Sequence, residues 1–326
     1  MPLVQGEGSP LNNPKAVKRR AKTKAISKAL NRALIEVAKE TGARSMEKAY
    51  RNAWYCQNVI KTADNRMYAP LCKNRSCTYC CGVRKAELIN KYFPVIRQWE
   101  QVYFLTLTTP SVAAADIKAT YKKMHQLFRL INAKLRKRAQ RGTAEKVMGV
   151  RTLECNFNPA ARTYNPHFHL LVYGEEATKL IRTEWMEAWK PTYLSPDAQV
   201  FKKIRKTERD LVEVIKYGAK IFTEPGKNKA EKKRRRGESV IYARALHNIY
   251  TAMKGERLFD RFGFNLPFDT PKRQSKLREV DKVEIWRHNS YYKDWLHPEH
   301  ESTLTGYIPT FEEDLFIESR IDTTRA

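Results

Sequence analysis

Apolar and polar positions alternate from Val102 to Thr109 (Val-Tyr-Phe-Leu-Thr-Leu-Thr-Thr), and Pro110 closes the run. Period two with β-branched and aromatic residues predicts a strand. Over 114–138 the period lengthens: Met124, Leu127, Phe128, Ile131 and Leu135 recur every three or four positions. That spacing predicts a helix with one face in a core. Its other face carries Lys122, Lys123, Arg129, Lys134 and Arg136. A second strand is predicted over 148–157, a turn at Asn158-Pro159, and a third strand over 167–173, making a hairpin. Residues 177–190 read as a helix with Trp185 and Trp189 on one face. A short strand over 199–204 precedes a helix over 207–222, and 243–257 reads as another helix. The order predicts an α+β fold, an antiparallel sheet with helices packed on it.

The flanks carry less pattern and more charge. Residues 15–34 hold eight basic residues and no acid, with a thin apolar stripe (Ala25, Ile26, Ala29, Leu30, Ala33, Leu34). They read as a basic arm that follows phosphates. Residues 51–92 hold five of the six cysteines and read as a small module. Lys227–Arg236 has seven basic residues and one acid, an exposed loop or DNA-contacting segment. From His297 to Ala326 the sign reverses, seven acids against two Lys/Arg, with Phe311, Leu315 and Phe316 able to dock. The predicted organisation is an arm (1–50), a cysteine-rich module (51–95), a main domain (96–268) and a C-terminal extension (269–326).

Composition narrows the partners. The 326 residues carry 62 Lys+Arg against 35 Asp+Glu, a formal net charge of +27. With 42% hydrophobic and 11% aromatic residues the chain can bury a core, which excludes full-length disorder. Such an excess of cations repels itself unless an anion offsets it, and nucleic acid is the usual one. A membrane surface fits less well, because the basic residues are interleaved with globular pattern. No apolar run approaches the roughly 18 residues of a membrane span. The opening, Met1 to Pro14, has no stretch like a secretory signal. Six Cys without an export signal point to a reducing cytoplasm, where clustered thiols more often hold metal than form disulfides.

Three groups of residues carry chemistry. In Pro166-His167-Phe168-His169-Leu170 the two imidazoles share one face of a strand while Phe168 enters the core. The hairpin partner brings Glu154 as a possible third ligand. Such a set with open positions suits Mn²⁺ or Mg²⁺ acting on a phosphoryl oxygen; the plain alternative is a pair of structural histidines. On the helix predicted over 207–222, Glu213, Tyr217 and Lys220 fall on one face. They are either an ordinary amphipathic surface or a nucleophile with a base and a cation. A phenol with pKa near 10 needs such help to attack at neutral pH. Cys56, Cys72, Cys77 and Cys80 fit a structural Zn²⁺ site. Cys81 is awkward as a fifth ligand and Cys155 reads as core.

Phe104-Leu-Thr-Leu-Thr-Thr109, Pro166-His-Phe-His-Leu-Leu-Val172 and Glu213-Val-Ile-Lys-Tyr-Gly-Ala-Lys220 resemble, in order and spacing, the three motifs of HUH-type endonucleases. Specifically, the chain resembles the rolling-circle replication initiators (Rep proteins) of small bacterial plasmids. The stretch from Cys56 to Cys80 is similar to the cysteine-rich segment preceding their nuclease core. The resemblance spans about residues 50–265. It implies an HUH endonuclease/RRM-like core and an enzyme that nicks and joins single-stranded origin DNA in the bacterial cytoplasm. By the resemblance, His167 and His169 bind the divalent metal, Tyr217 is the nucleophile, and Glu213 activates water at termination. Glu154 follows from its strand position, and Lys220 stabilises charge. Many relatives carry His where this chain has Asn165. Implied partners are plasmid origin DNA, a host helicase and a host DNA polymerase.

Two other classes compete. A relaxase or single-tyrosine transposase shares the fold, but relaxases place the tyrosine before the histidines, and such transposases are shorter and lack the cysteines. A non-enzymatic zinc-dependent DNA- or RNA-binding protein would share the charge and the cysteines.

Overall fold

The computed structural model describes residues 3–5, 8–189, 194–204, 240–266, 277–280, 282–310 and 321–324. The helix predicted over 207–222, the basic stretch 227–236 and the aromatic positions Phe311, Leu315 and Phe316 lie outside the described residues. In chain order the first elements are β1 (Leu3–Gln5), β2 (Ser9–Pro10), α1 (Pro14–Glu40), α2 (Arg44–Tyr55), β3 (Val59–Ala63) and β4 (Arg66–Tyr68). Next come α3 (Thr78–Ile96), β5 (Val102–Thr108), α4 (Ile117–Gln140), β6 (Gly149–Asn158), β7 (Thr163–Tyr173) and α5 (Glu175–Trp189). Then follow β8 (Phe201–Lys203), β9 (Ile241–Tyr242), α6 (Ala243–Ala252), β10 (Phe259–Phe262), β11 (Leu277–Glu279), β12 (Glu284–Asn289) and β13 (Asp294–Leu296). Antiparallel sheets flanked by helices make this a mixed α and β protein.

Two compact units divide the chain: Met1–Gly82 with Pro271–Thr323, and Val83–Thr270 with the last three residues. In the first, a five-stranded antiparallel sheet has the order β13-β12-β3-β4-β2, and β1 pairs with β11. Strands from both ends of the chain therefore close one sheet. Asn13 caps α1 by accepting from the Ala16 N–H at 3.1 Å, and Pro14 opens its first turn. The basic stretch 15–34, expected as an arm, is helical with one face buried. That face includes Arg20, Lys24, Ser27 and Asn31 beside Val17, Ala21, Leu30 and Leu34. The polar members reach backbone and side chains of the cysteine-bearing segment. Arg20 Nε donates to Gln57 Oε1 at 2.9 Å, Lys24 Nζ to the carbonyls of Trp54 and Cys56, and Asn31 Nδ2 to Ser76 O at 3.0 Å. Val17 and Ala21 pack with Ile60, Met67 and the fully buried Trp295 of β13.

The second unit holds a five-stranded antiparallel sheet ordered β10-β6-β7-β5-β8. Alternation assigns its two faces. Leu105, Leu107, Leu153, Phe168 and Leu170 meet Met124, Phe128, Ile131 and Leu135 of α4, Ile181 and Trp185 of α5, and Ile249 of α6. On the other face Val102, Val150 and Leu171 pack with Tyr92, Ile96 and Trp99. Only part of that second face is covered by this cluster. β7 begins four residues earlier than expected, at Thr163 rather than His167. The interior Pro166 argues against a strand, since it has no N–H to give. It is tolerated because it lies just past the last β5 pairing, Thr108 with His167. At the other end of the sheet Gly149 opens β6, where a Cβ would overlap the Leu171 carbonyl on β7 and the Phe262 ring on β10.

Buried imidazoles set the acid side of stability. Burial, with the charge of Arg151 adding, pushes His125 down to about 4. Burial and then the charges of Lys28 and Lys24 push His288 down to about 3. The unfolded chain takes up these protons near pH 6.5, whereas the folded one resists until about 4 and 3. Stability therefore rises with pH through that window and is fully present above it. Thermal melting should be level from pH 7 to 8 and fall by several degrees at pH 5. A melting temperature unchanged at pH 5 would contradict the burial of these rings.

Candidate active site

The part of the second unit's sheet beyond the Tyr92 cluster carries the candidate chemistry. Register places Glu154 of β6 directly opposite His167 of β7, which faces Thr108 of β5. In the next row Thr152, His169 and Thr106 stand side by side. Strand alternation points all six side chains to the face away from α4. His167 is 3% exposed and Glu154 7%, so a carboxylate is held beside two imidazoles with little water. Glu154 Oε2 lies 3.8 Å from His167 Nε2 and 3.7 Å from His169 Nε2. The two rings sit 4.7 Å apart at 75°.

Second contacts aim the rings. His167 Nδ1 is 2.9 Å from the carbonyl of Asn165, so Nδ1 carries the proton and the Nε2 lone pair faces Glu154. Asn165 is itself held, its Nδ2 donating to Thr109 O at 2.9 Å. His169 Nδ1 lies 3.1 Å from Thr106 Oγ1. With that hydroxyl accepting, the second Nε2 is also turned toward the carboxylate. Gln199 reads the end of β5: its Oε1 accepts from Thr108 N at 2.8 Å and its Nε2 donates to Thr108 Oγ1 at 2.5 Å. The threonines of the first motif and Gln199 are thus the supporting shell, and only their alternate spacing in 102–109 hinted at it.

One ligand atom from each of Glu154, His167 and His169 lies within 4.8 Å of the others. Two nitrogens and a carboxylate oxygen, converging from one side, can hold a divalent ion and leave positions open for substrate oxygens. Tyr217, Glu213 and Lys220 lie outside the described residues.

The four expected thiols converge in the first unit. Cys56, Cys72, Cys77 and Cys80 offer sulfurs within 4.8 Å of one another. The Cys56–Cys80 and Cys72–Cys80 separations are both 3.6 Å. Sulfurs at the corners of a tetrahedron with bonds of about 2.3 Å lie about 3.8 Å apart, so the donor set fits Zn²⁺. Hydrogen bonding from Cys56, Cys72 and Cys80 pulls the Cys77 thiol far below its ordinary value, and the same contacts push Cys56 and Cys80 up. A cation would remove that competition for protons. Lys24, held at the Cys56 carbonyl, brings positive charge to the cluster. Cys81 turns away, its thiol 3.2 Å from the Arg75 carbonyl, and Cys155 is buried in the second unit's core.

Comparison with known proteins adds what geometry alone does not. Residues 65–304 match the profile of a family described as replication protein. The chain belongs to that family. The expected plasmid rolling-circle replication initiator is borne out at this level. A Protein rep of Staphylococcus aureus is 34% identical over 163 residues, covering 46% of this chain and 69% of the relative. A Protein rep of a Bacillus species is 29% identical over 143 residues, 40% of this chain and 44% of the relative. Another, from Bacillus amyloliquefaciens, is 31% identical over 134 residues, 37% of each. No solved structure gives a significant match. Replication proteins of this family act on origin DNA, in line with the net charge of +27. Among the described residues no helix is long and apolar enough to cross a membrane.

Proposed function

We propose that this replication protein starts rolling-circle synthesis by nicking one strand of its plasmid origin through a 5′-phosphotyrosine, on an HUH endonuclease/RRM-like core. The observation that carries the reading is the convergence of Glu154, His167 and His169 on one sheet face. Mn²⁺ or Mg²⁺ bound there supplies Lewis-acid polarisation of a phosphoryl oxygen. His167 and His169 present Nε2 lone pairs because Asn165 O and Thr106 Oγ1 engage their Nδ1 atoms. Glu154 adds the negative charge that favours a divalent ion over a proton. Tyr217 gives up its phenolic proton and attacks the scissile phosphorus; the P–O3′ bond breaks and the leaving oxygen becomes a free 3′-OH. Lys220 offsets the developing charge. Glu213, four positions before Tyr217 in the sequence, deprotonates a water that releases the enzyme at termination. That step removes the need for a second tyrosine.

The nick site must be unpaired to reach these groups, so an extruded or single-stranded origin segment is the substrate. The basic face of α4 and the cysteine-bearing unit, with Zn²⁺ as structural metal, contact the surrounding phosphates. Host polymerase extends the 3′-OH and a host helicase opens the duplex ahead of it. The test is incubation with supercoiled plasmid carrying its own origin and Mn²⁺, followed by denaturing electrophoresis. A nicked circle with protein on its 5′ end, prevented by EDTA, is expected. A mobility shift with no covalent product would leave a DNA-binding protein without nuclease activity.

A further inference from the structure

The reaction uses one face of the sheet; the other face holds a cleft that it does not touch. Along β6, Thr152 and Glu154 point to the histidine face, while Arg151 and Leu153 point toward α4. Between α4, β6 and β10 a cleft of about 960 Å³ opens. Arg129, Arg136, Lys146 and Arg257 line it beside Arg151, and among the described residues the one lining carboxylate is Asp260. That carboxylate is engaged within the protein. It lies 3.5 Å from Arg151 Nη2 and 3.3 Å from Arg257 Nη1, and accepts from the Arg261 N–H at 3.0 Å.

The floor is built rather than incidental. Arg151, 7% exposed, is sandwiched between Phe128 and Phe168 with its guanidinium carbon 4.7 and 4.6 Å from the ring centres. Its Nη1 donates to His125 Nδ1 at 3.0 Å, and His125 Nε2 lies 3.6 Å from Glu256. These contacts hold a cation beneath four others. So many like charges around one concavity repel each other unless an anion lies among them.

The shape selects the anion. A cleft of this size is at the upper end of small-ligand sites; a duplex, a convex cylinder, meets only its rim, while one strand can lie in it. Cations tracking a backbone beside an aromatic ring, here the half-buried Phe264, form the pattern that holds single strands without reading their sequence. We propose that this cleft is a second, non-catalytic site for single-stranded DNA, gripping the phosphodiester backbone on the side of the sheet opposite the histidines. The choice of DNA rests on the replication reading; the binding itself does not depend on nicking.

The test uses the full-length protein, no divalent metal, and a fluorescent thymidine oligonucleotide lacking any origin sequence. Lys146→Gln/Arg257→Gln should weaken binding about tenfold at moderate salt. It should also lower the slope of log affinity against log salt by about 1.4, as two lost single-strand phosphate contacts predict. A duplex of equal length should weaken less than threefold. An unchanged slope, or equal loss for duplex, would overturn the proposal. Ultraviolet crosslinking of a bromouracil-substituted strand to the unmutated protein gives a readout that no folding defect can mimic. Attachment to the peptide carrying Phe262 and Phe264 supports the site, and attachment confined elsewhere overturns it. Because neither assay contains a nick site or metal, loss of the nuclease reading would leave both results interpretable.

Discussion

Tyr217→Phe is expected to abolish the covalent protein–DNA product and to lower the nicking rate by on the order of 10⁴-fold or more, the scale seen when an enzyme loses its nucleophile. The substitution removes one oxygen and keeps the ring, so packing and DNA affinity should be retained. Nothing at the Glu154–His167–His169 cluster replaces that oxygen: the two imidazoles face the carboxylate, and His167 is tied to Asn165 through its other nitrogen. Rate should be read on an origin oligonucleotide and affinity on the same oligonucleotide by anisotropy. Nicking that persists at the wild-type rate would remove this tyrosine from the mechanism, and a protein-bound 5′ end mapped elsewhere would reassign it.

Stripping metal from the cysteine cluster should unfold the unit that contains it. The four thiols and Ala53 form a small buried cluster, separate from those around Trp295 and around Tyr68. It joins the end of α2 to the segment 72–80 with few apolar side chains. Such a junction depends on a staple. Structural zinc supplies roughly 10 to 16 kcal/mol of apparent binding free energy in small modules at neutral pH. One equivalent of zinc per chain is expected by elemental analysis. A strong chelator with a reductant should remove the first of two melting transitions, and Cys77→Ser should do the same. Cys81→Ser should keep its zinc, because that thiol faces the Arg75 carbonyl. Zinc-free protein with an undiminished melt would make the four thiols an ordinary buried cluster.

The second unit was largely legible because its signals are local. Period two in 102–109 and 167–173, and period three to four in 114–138, mark elements whose apolar faces meet one core. The hairpin turn at Asn158-Pro159 sets a register that puts Glu154 opposite His167. The first unit was hidden for the opposite reason. Helix α1 buries Arg20, Lys24 and Asn31, which a hydropathy pattern reads as solvent-facing; their partners are carbonyls and an amide 30 or more positions away. Likewise β12 pairs with β3 across more than two hundred residues. Arg151 was missed because a cation in a strand reads as exposed, whereas two phenyl faces shelter it. The spacing that located the histidines says nothing of Thr106 or Gln199, whose roles appear only once strands are in register.

The first unit takes β12 and β13 from beyond residue 280 and packs Trp295 at its centre, while the second unit, its last three residues aside, is the stretch Val83–Thr270. On the ribosome, at about 5 to 20 residues per second, the histidine-bearing sheet can therefore mature well before the thiol-bearing sheet has all its strands. A prematurely terminated chain would carry a folded histidine-bearing half beside an unfinished partner. Such a product would be exposed to proteolysis, so only near-complete translation yields a lasting initiator.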